Sequence, residues 1–438
     1  MRKFLGTAIL ALAPVALAAQ AGSDARAISL DEAIRLAQQN QPSMVQARNA
    51  VRQGENTVRR NRFNLGYVPT LGVSAGWNQR GGDRYAEGVK LPSTQTPWSY
   101  SRGLNIGGIT LFDGGQRWNT YRTSQANLDA SEAAVVTSKY QVSLSVKQAY
   151  YAVLTAREQR SAAQRQLESA QQQLAVATAK MNAGSATRTD SLSAALAIGQ
   201  ARQAILNADN AVANANAQLT RYTATQFTVT ALPGDTSEVT PIELSEADLV
   251  SMALAGPQIT QNQAQVKAAQ AGRRGANSGY MPSLTMSMGY GWTIDNSKEF
   301  KFADGPSGTS TSLGFNFSYQ LWDNLQREQT VANARISLEN AEATLRDNRF
   351  LVQQNITQQL NTFNTAMQSI ELNRLQIAAA EENLRVVQQQ YNLGTKQLLD
   401  LLNAQTSLDN ARATLIQSRQ NARLAKANIE QIIGRDLK

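Results

Sequence analysis

The chain has 438 residues, with 42 Lys and Arg against 33 Asp and Glu, a formal net charge of +9, and neither Cys nor His. Those two absences exclude Ser–His–Asp and Cys–His nucleophiles, zinc sites built on imidazole or thiolate, disulfides, and lipid attachment through cysteine. Only 17% of residues are charged, mean hydropathy is −0.36, and no internal apolar run approaches the ~18–20 residues of a spanning helix, so a helical membrane protein is not expected; no cofactor is expected either.

Arg2 and Lys3 precede an apolar stretch over residues 4–17, and Ala16-Leu17-Ala18 and Ala19-Gln20-Ala21 follow as cleavage candidates. A charged start, an apolar middle and an A-x-A end predict a secretory signal peptide over residues 1–21 and an exported mature chain.

The remainder reads as a duplication. Ile28-Ser29-Leu30-Asp31-Glu32-Ala33 returns loosely as Ile242-Glu243-Leu244-Ser245-Glu246-Ala247, and Tyr67-Val68-Pro69-Thr70-Leu71 as Tyr280-Met281-Pro282-Ser283-Leu284. Leu111-Phe112-Asp113 matches Leu321-Trp322-Asp323, and Asn182-Ala183-Gly184 matches Asn392-Leu393-Gly394. Order and spacing are both kept, as expected of two copies of one long unit over residues 22–225 and 242–438, joined by a linker at 226–241. Each copy opens with a helix, near 30–64 and 244–277. Ser29 with Glu32 forms a capping-box pattern at the first, while Glu243 stands where the second would need its cap.

Two strands follow in each copy, near 67–78 and 100–112, then 281–294 and 312–322. Leu284, Met286, Met288, Tyr290, Trp292 and Ile294 alternate with Thr285, Ser287, Gly289, Gly291 and Thr293. Leu313, Phe315, Phe317, Tyr319 and Leu321 alternate with small or polar residues, and Leu71, Val73, Ala75 and Trp77 do the same. The phase slips at Gly107-Gly108, where a bulge is expected. A soluble sandwich would also alternate. Lengths of about 10–12 residues and small residues opposite the apolar ones favour strands with lipid on one face and a watery lumen on the other. Four strands cannot close a barrel and open edges do not survive in hydrocarbon, so several chains would have to share one.

Asp113 and Asp323, each with Gln three residues on, are expected to cap the long helices near 114–182 and 324–392. Free of Pro and Gly from Gln116 to Asn182 and from Leu325 to Asn392, these would run about 67 residues or about 100 Å. Shorter helices follow the glycine turns, near 187–222 and 397–433. Each is about 35 residues, so an opening helix stacked on a closing one would match the long helix. Narrow apolar seams recur in steps of three, four and seven through Leu338, Ala341, Leu345, Val352, Ile356, Phe363, Met367, Ile370 and Ile377, a coiled-coil habit.

These features resemble the outer-membrane efflux protein family, the TolC-type exit ducts. The resemblance rests on Leu30-Asp31-Glu32-Ala33 with Asn40 and Pro42, on Tyr67-x-Pro69 and Tyr280-x-Pro282, and on Leu-Phe-Asp and Leu-Trp-Asp leaving the strands. It rests also on Tyr391-Asn392-Leu393-Gly394-Thr395 followed by Leu399-Asp400-Leu401-Leu402-Asn403-Ala404-Gln405. It implies a mixed, mainly α fold: long helical hairpins forming an α-barrel across the periplasm, and four strands per chain contributing to a twelve-stranded barrel in a homotrimer. It implies an outer-membrane channel of a tripartite efflux or type I secretion system, served by a periplasmic adaptor (membrane fusion protein) and an inner-membrane pump of RND or ABC type, with no catalysis. A periplasmic coiled-coil adaptor or scaffold is the alternative, and nothing gathers two acids as an exported hydrolase would need.

The turns Ala183-Gly184-Ser185 and Leu393-Gly394-Thr395 would then meet the adaptor, although Gly184 and Gly394 also suit a helix C-terminus for conformational reasons alone. Tyr391 and Lys396 match the family's entrance gate, with Asp190 as their partner. Lys396 stands where some relatives have arginine and Asn403 where some have a second acid. Asp190 and Asp400, aligned by the repeat, would each make a ring of carboxylates in a trimer. Asp190 and Asp400 equally suit first-turn helix positions. Trp77, Trp98, Trp292 and Trp322 would mark a membrane interface. Arg59, Arg60 and Arg62, mirrored by Arg273 and Arg274, precede the strands. A solvated face suits them best, then lipid phosphates near the inner leaflet, and nucleic acid least, for which no basic-aromatic motif exists.

Overall fold

A computed structural model describes residues 25–66, 70–78, 84–91, 98–232, 239–297 and 308–437. The expected signal peptide lies outside them. In chain order the elements are β1 (Arg26–Ile28), α1 (Leu30–Asn40), α2 (Pro42–Phe63), β2 (Thr70–Asn78), β3 (Arg84–Ala86), β4 (Val89–Leu91), β5 (Trp98–Phe112), α3 (Gln116–Asn182), α4 (Arg188–Thr223) and β6 (Val229–Ala231). Then come α5 (Glu246–Leu254), α6 (Pro257–Ala276), a 3-10 turn at Asn277–Tyr280, β7 (Ser283–Ser297), β8 (Gly308–Ser318), α7 (Gln326–Asn392) and α8 (Leu398–Ile433).

Neither opening helix is continuous, contrary to expectation. Pro42 and Pro257 each start a new helix at its first turn. Proline there lacks only an N–H that would be unpaired anyway, and it disfavours helical geometry in the residue before it. The cap of α5 is also not where the alignment put it. Ser245 Oγ accepts the Asp248 N–H at 3.2 Å and donates to Asp248 Oδ2 at 2.6 Å, so Glu243 has no capping task.

The described residues form two compact units. Those within Met1–Ala37, Val146–Glu238 and Asn373–Gln420 make one; those within Gln38–Ser145, Val239–Leu372 and Asn421–Lys438 make the other. In the first, β1 pairs in parallel with β6, Ile28 opposite Ala231. Tyr150 is wholly buried beside them; its hydroxyl donates to Ile28 O at 3.3 Å and accepts the Leu232 N–H at 3.2 Å. Arg157 adds bonds to Ala231 O at 2.6 Å and Thr230 Oγ1 at 2.8 Å. Strands of three residues so far apart in sequence leave no periodic trace.

In the second unit, Leu249, Ile259, Ile356 and Ile429 form a dry cluster from four helices. Each buried side chain of this size contributes about 1.5–3 kcal/mol. The same unit holds a four-stranded antiparallel sheet in the order β2-β5-β7-β8. Its register places Leu71, Ile106, Met288 and Leu313 in one row, and Val73, Leu104 and Tyr290 in the next. Apolar residues of all four strands therefore share one face. On the other, Ser74 faces Gly103, Ser312 faces Gly289, Ser310 faces Gly291 and Ser287 faces Gly314. A Cβ on Gly103 or Gly289 would stand 2.8 Å from the opposing serine oxygen, so this face is crowded even with its smallest residues. The β5–β7 register shifts between Ile106 and Ile109, where the sequence slips phase. A short β3–β4 hairpin, turned by Glu87 (φ 50°) and Gly88 (φ 80°), occupies part of what reads from sequence as a plain loop.

Among the described residues the apolar face has no cover, with Val73 81% and Phe317 67% exposed, and strands β2 and β8 each have a neighbour on one side only. Trp292 lies on the apolar face with Tyr290 at 5.3 Å, and Trp322 is exposed beyond the end of β8. Trp77 and Trp98 lie in β2 and β5, and their side chains fall outside the described ones.

Candidate functional site

Two places carry the expected functional residues: the helical turns in the first unit and the strand-to-helix connections in the second. At the turns, Gly184 (φ 75°) and Gly394 (φ 79°) end α3 and α7 in left-handed geometry with open space around them. The Gly184 N–H bonds Met181 O at 3.0 Å and the Ser185 N–H bonds Lys180 O at 2.9 Å. Gly394 and Thr395 repeat the pattern on Tyr391 and Gln390, and both hydroxyls bond the same carbonyls as their own N–H groups. This is a doubled Schellman closure that satisfies the last carbonyls of each helix. Around it Leu192, Leu196, Leu393 and Leu399 stand exposed.

Both expected acids serve as helix caps. Asp190 closes a capping box with Thr187: its N–H reaches Thr187 Oγ1 at 3.2 Å, and its Oδ2 takes the Thr187 N–H at 2.9 Å. Asp400 Oδ2 takes the Gln397 N–H at 3.2 Å. Lys396 stands 3.9 Å from Asp400, half-exposed, a geometry worth little in water. Asn403 is exposed on α8.

Tyr391 is buried among Ala177, Ala194, Leu398 and Leu401. Its principal partner is Lys180, whose ammonium lies 4.0 Å from the ring centroid and donates to the Tyr391 carbonyl oxygen. The Tyr391 hydroxyl is buried with no hydrogen-bond partner among the described residues. Burial, then the nearby Asp190 carboxylate, push the phenol above its ordinary pKa. The structure thus brings Asp190 near Tyr391, leaves Lys396 on Asp400, and adds Lys180. No local pattern reveals Lys180, because its partner is 211 residues away.

At the connections, Asp113 Oδ1 accepts the Gly115 N–H at 3.1 Å and Oδ2 the Arg117 N–H at 3.1 Å. Asp323 Oδ2 likewise accepts the Arg327 N–H at 3.0 Å. The side chain closing each cap is not the glutamine expected at the third position but the arginine at the fourth: Arg117 Nε to Asp113 at 2.9 Å and Arg327 Nε to Asp323 at 2.8 Å. Arg117 also donates to Thr110 O at 3.0 Å and reaches Asn64 O and Gly66 O at 3.4 Å, clasping β5 to the end of α2. Arg327 packs over the Tyr280 ring at 5.3 Å. The readable signal was a repeated Asp-x-x-x-Arg. Among the described residues no group of acids could hold a metal ion.

A sheet with an open apolar face, carried by long helical hairpins, defines the chain as one of the membrane channel class rather than a soluble helical scaffold. The sequence model of the outer membrane efflux protein family matches residues 33–225 and again 249–435; the chain belongs to this family. Outer membrane protein TolC of Escherichia coli is 22% identical over 381 residues, 84% of this chain and 74% of that protein. Protein CyaE of Bordetella pertussis is 26% identical over 429 residues, 91% and 84% of the two chains. Among solved structures, CusC superposes with a TM-score of 0.80 at 18% identity over 96% of both chains. The Neisseria gonorrhoeae MtrE outer membrane channel gives 0.74 at 18%, over 95% and 94%. The protein is an outer-membrane exit duct for efflux, and its family is one of channels, not enzymes.

Proposed function

We propose that three copies join their sheets edge to edge, β8 of one to β2 of the next, into a twelve-stranded barrel in the outer membrane, and that their helices continue as a periplasmic α-barrel. The observation that carries this is the four-stranded sheet with an exposed apolar face and two unpaired edges. In water that face would cost stability, and in lipid the open edges would, so only closure with other copies satisfies both demands. Internal duplication is supported by the two family matches and by paired helix lengths, 67 residues for α3 and α7 and 36 for α4 and α8.

On this reading the exposed leucines around Gly184, Ser185, Gly394 and Thr395 receive the hairpins of a periplasmic adaptor, itself bound to an inner-membrane pump. Tyr391, Asp190, Lys396, Asp400 and Asn403 line the entrance that opens for drugs or secreted proteins, and a signal peptide over residues 1–21 is removed on export.

Because the chain has no native cysteine, engineered pairs report contacts cleanly. A ladder of single cysteines on the small-residue face of β2, each combined with Ser312→Cys on β8, should yield covalent trimers in outer-membrane fractions at one register. Absence of trimers at every register, together with release from membranes by salt or alkali, would end this reading and favour the adaptor or scaffold.

A further inference from the structure

The exposed arginines that precede the strands are not used by the duct as described above. Among the described residues none of Arg59, Arg60, Arg62, Arg273 and Arg274 is held in an ion pair. Two of them converge. Arg60 in the last turn of α2 and Arg273 in the last turn of α6 line one groove of about 680 Å³ in the second unit. Each stands seven residues before Tyr67 or Tyr280, at matching places in the two halves.

No acidic residue lines the groove. Most of its hydroxyls are spent as donors: Thr57, Thr120, Ser124, Thr330 and Ser337 each bond a carbonyl of their own helix at 2.7–2.9 Å. The charged donors are the two guanidinium groups, beside the neutral side chains of Asn61, Gln116 and Asn127 and the small side chains of Ala269 and Ala334. A carboxylate-free hollow with two planar, always-charged forks suits a phosphate, which takes such forks bidentately. A helix C-terminus favours a cation in its last turn, which accounts for each arginine singly but not for their sharing one groove.

The chain bordering the groove leads within a few residues to β2 and β7, and exposed Phe63, Met281, Leu321 and Trp322 lie on those approaches and on the exit from β8. Apolar and aromatic side chains beside cations make the profile of a headgroup layer. We propose that Arg60 and Arg273 together bind the phosphate of an anionic phospholipid of the inner leaflet, one lipid per chain. The assignment rests on the sheet being the membrane segment.

The test titrates the purified protein in neutral detergent with short-chain phosphatidylglycerol, with its phosphatidylcholine counterpart, and with inorganic phosphate, following the thermal midpoint. Phosphatidylglycerol should raise it dose-dependently, phosphatidylcholine far less. The double variant Arg60→Gln/Arg273→Gln should weaken the apparent affinity about tenfold or more, and Arg→Lys at both positions should recover part of it. An equal rise with inorganic phosphate would show the same site serving free anions and overturn the lipid assignment. No rise, or one unaltered in the double variant, would overturn the groove altogether. The double variant should still fractionate with the outer membrane as a trimer; its loss from that fraction, shared by the Arg→Lys variant, would overturn the separation of lipid binding from assembly.

Discussion

Two residues mark where the copies diverge. After Asp113, the left-handed positions are Gly114 (φ 66°) and Gly115 (φ 81°); after Asp323 they are Asn324 (φ 54°) and Leu325 (φ 63°). Asparagine tolerates that conformation, and here its side chain accepts the Trp322 indole N–H at 2.8 Å, but leucine is strained by about 1–2 kcal/mol. Leu325→Gly should stabilise the protein by about 1 kcal/mol, because little packing is lost at an exposed position. Gly114→Ala should do the reverse: its Cβ would lie 2.3 Å from Met281 Cβ. Thermal midpoints of the two variants in detergent, moving in opposite directions, would check this.

Tyr391 adds a pH dependence. Its folded pKa lies above the ordinary value near 10. The folded state thus prefers the neutral phenol, a contribution fully present below pH ~10 and lost as pH rises through the folded pKa. Tyr391→Phe should flatten the alkaline limb of stability against pH; an unchanged limb would assign it to other groups.

Helix seams carry the next lesson. In the first unit, α3 buries Ala156, Ala163, Ala170 and Ala177, and α4 buries Ala194, Ala201, Ala208 and Ala215, both at seven-residue steps. The second hairpin keeps small residues at some of the matching places, Ala366, Ala404 and Ala425, and adds larger ones at seven-residue steps, Leu384 with Tyr391 and Leu401 with Leu408. Alanine lets helices approach closely, whereas leucine holds them apart by a filled layer. Ala201→Leu should therefore cost about 1–3 kcal/mol by overpacking, while Leu408→Ala should cost about 2–5 kcal/mol by leaving a cavity. Chemical denaturation of the two single variants measures both.

The alanine seam also shows why sequence reading was uneven. Alanine is both a helix former and a core residue here, so its heptads raise little hydrophobic signal, and the steps that stand out in the sequence are those of α7. The strand faces were legible because each position declares its side. The breaks at Pro42 and Pro257 come from proline's missing N–H and its effect on the residue before it, which the apolar pattern does not carry. The Lys180–Tyr391 contact and the β1–β6 pair depend on distant partners and could not have been read from local pattern.

For the whole molecule, the entrance reading makes a separate forecast. If Tyr391 and Lys396 hold the helical turns shut, Tyr391→Phe with Lys396→Ser should raise single-channel conductance in planar bilayers. Lys180→Met should act in the same direction by freeing the Tyr391 ring. Unchanged conductance in both would leave these contacts as ordinary packing, with the duct intact.

The bare borders of the sheet at β2 and β8 bear on how the protein comes into being. On the proposed closure with other copies, a newly exported chain has nowhere to hide its greasy strands, so finishing its own fold and finding its companions would be one event. Refolding from denaturant should accordingly speed up with protein concentration, and lone copies should survive the crossing only in the grip of holdase chaperones.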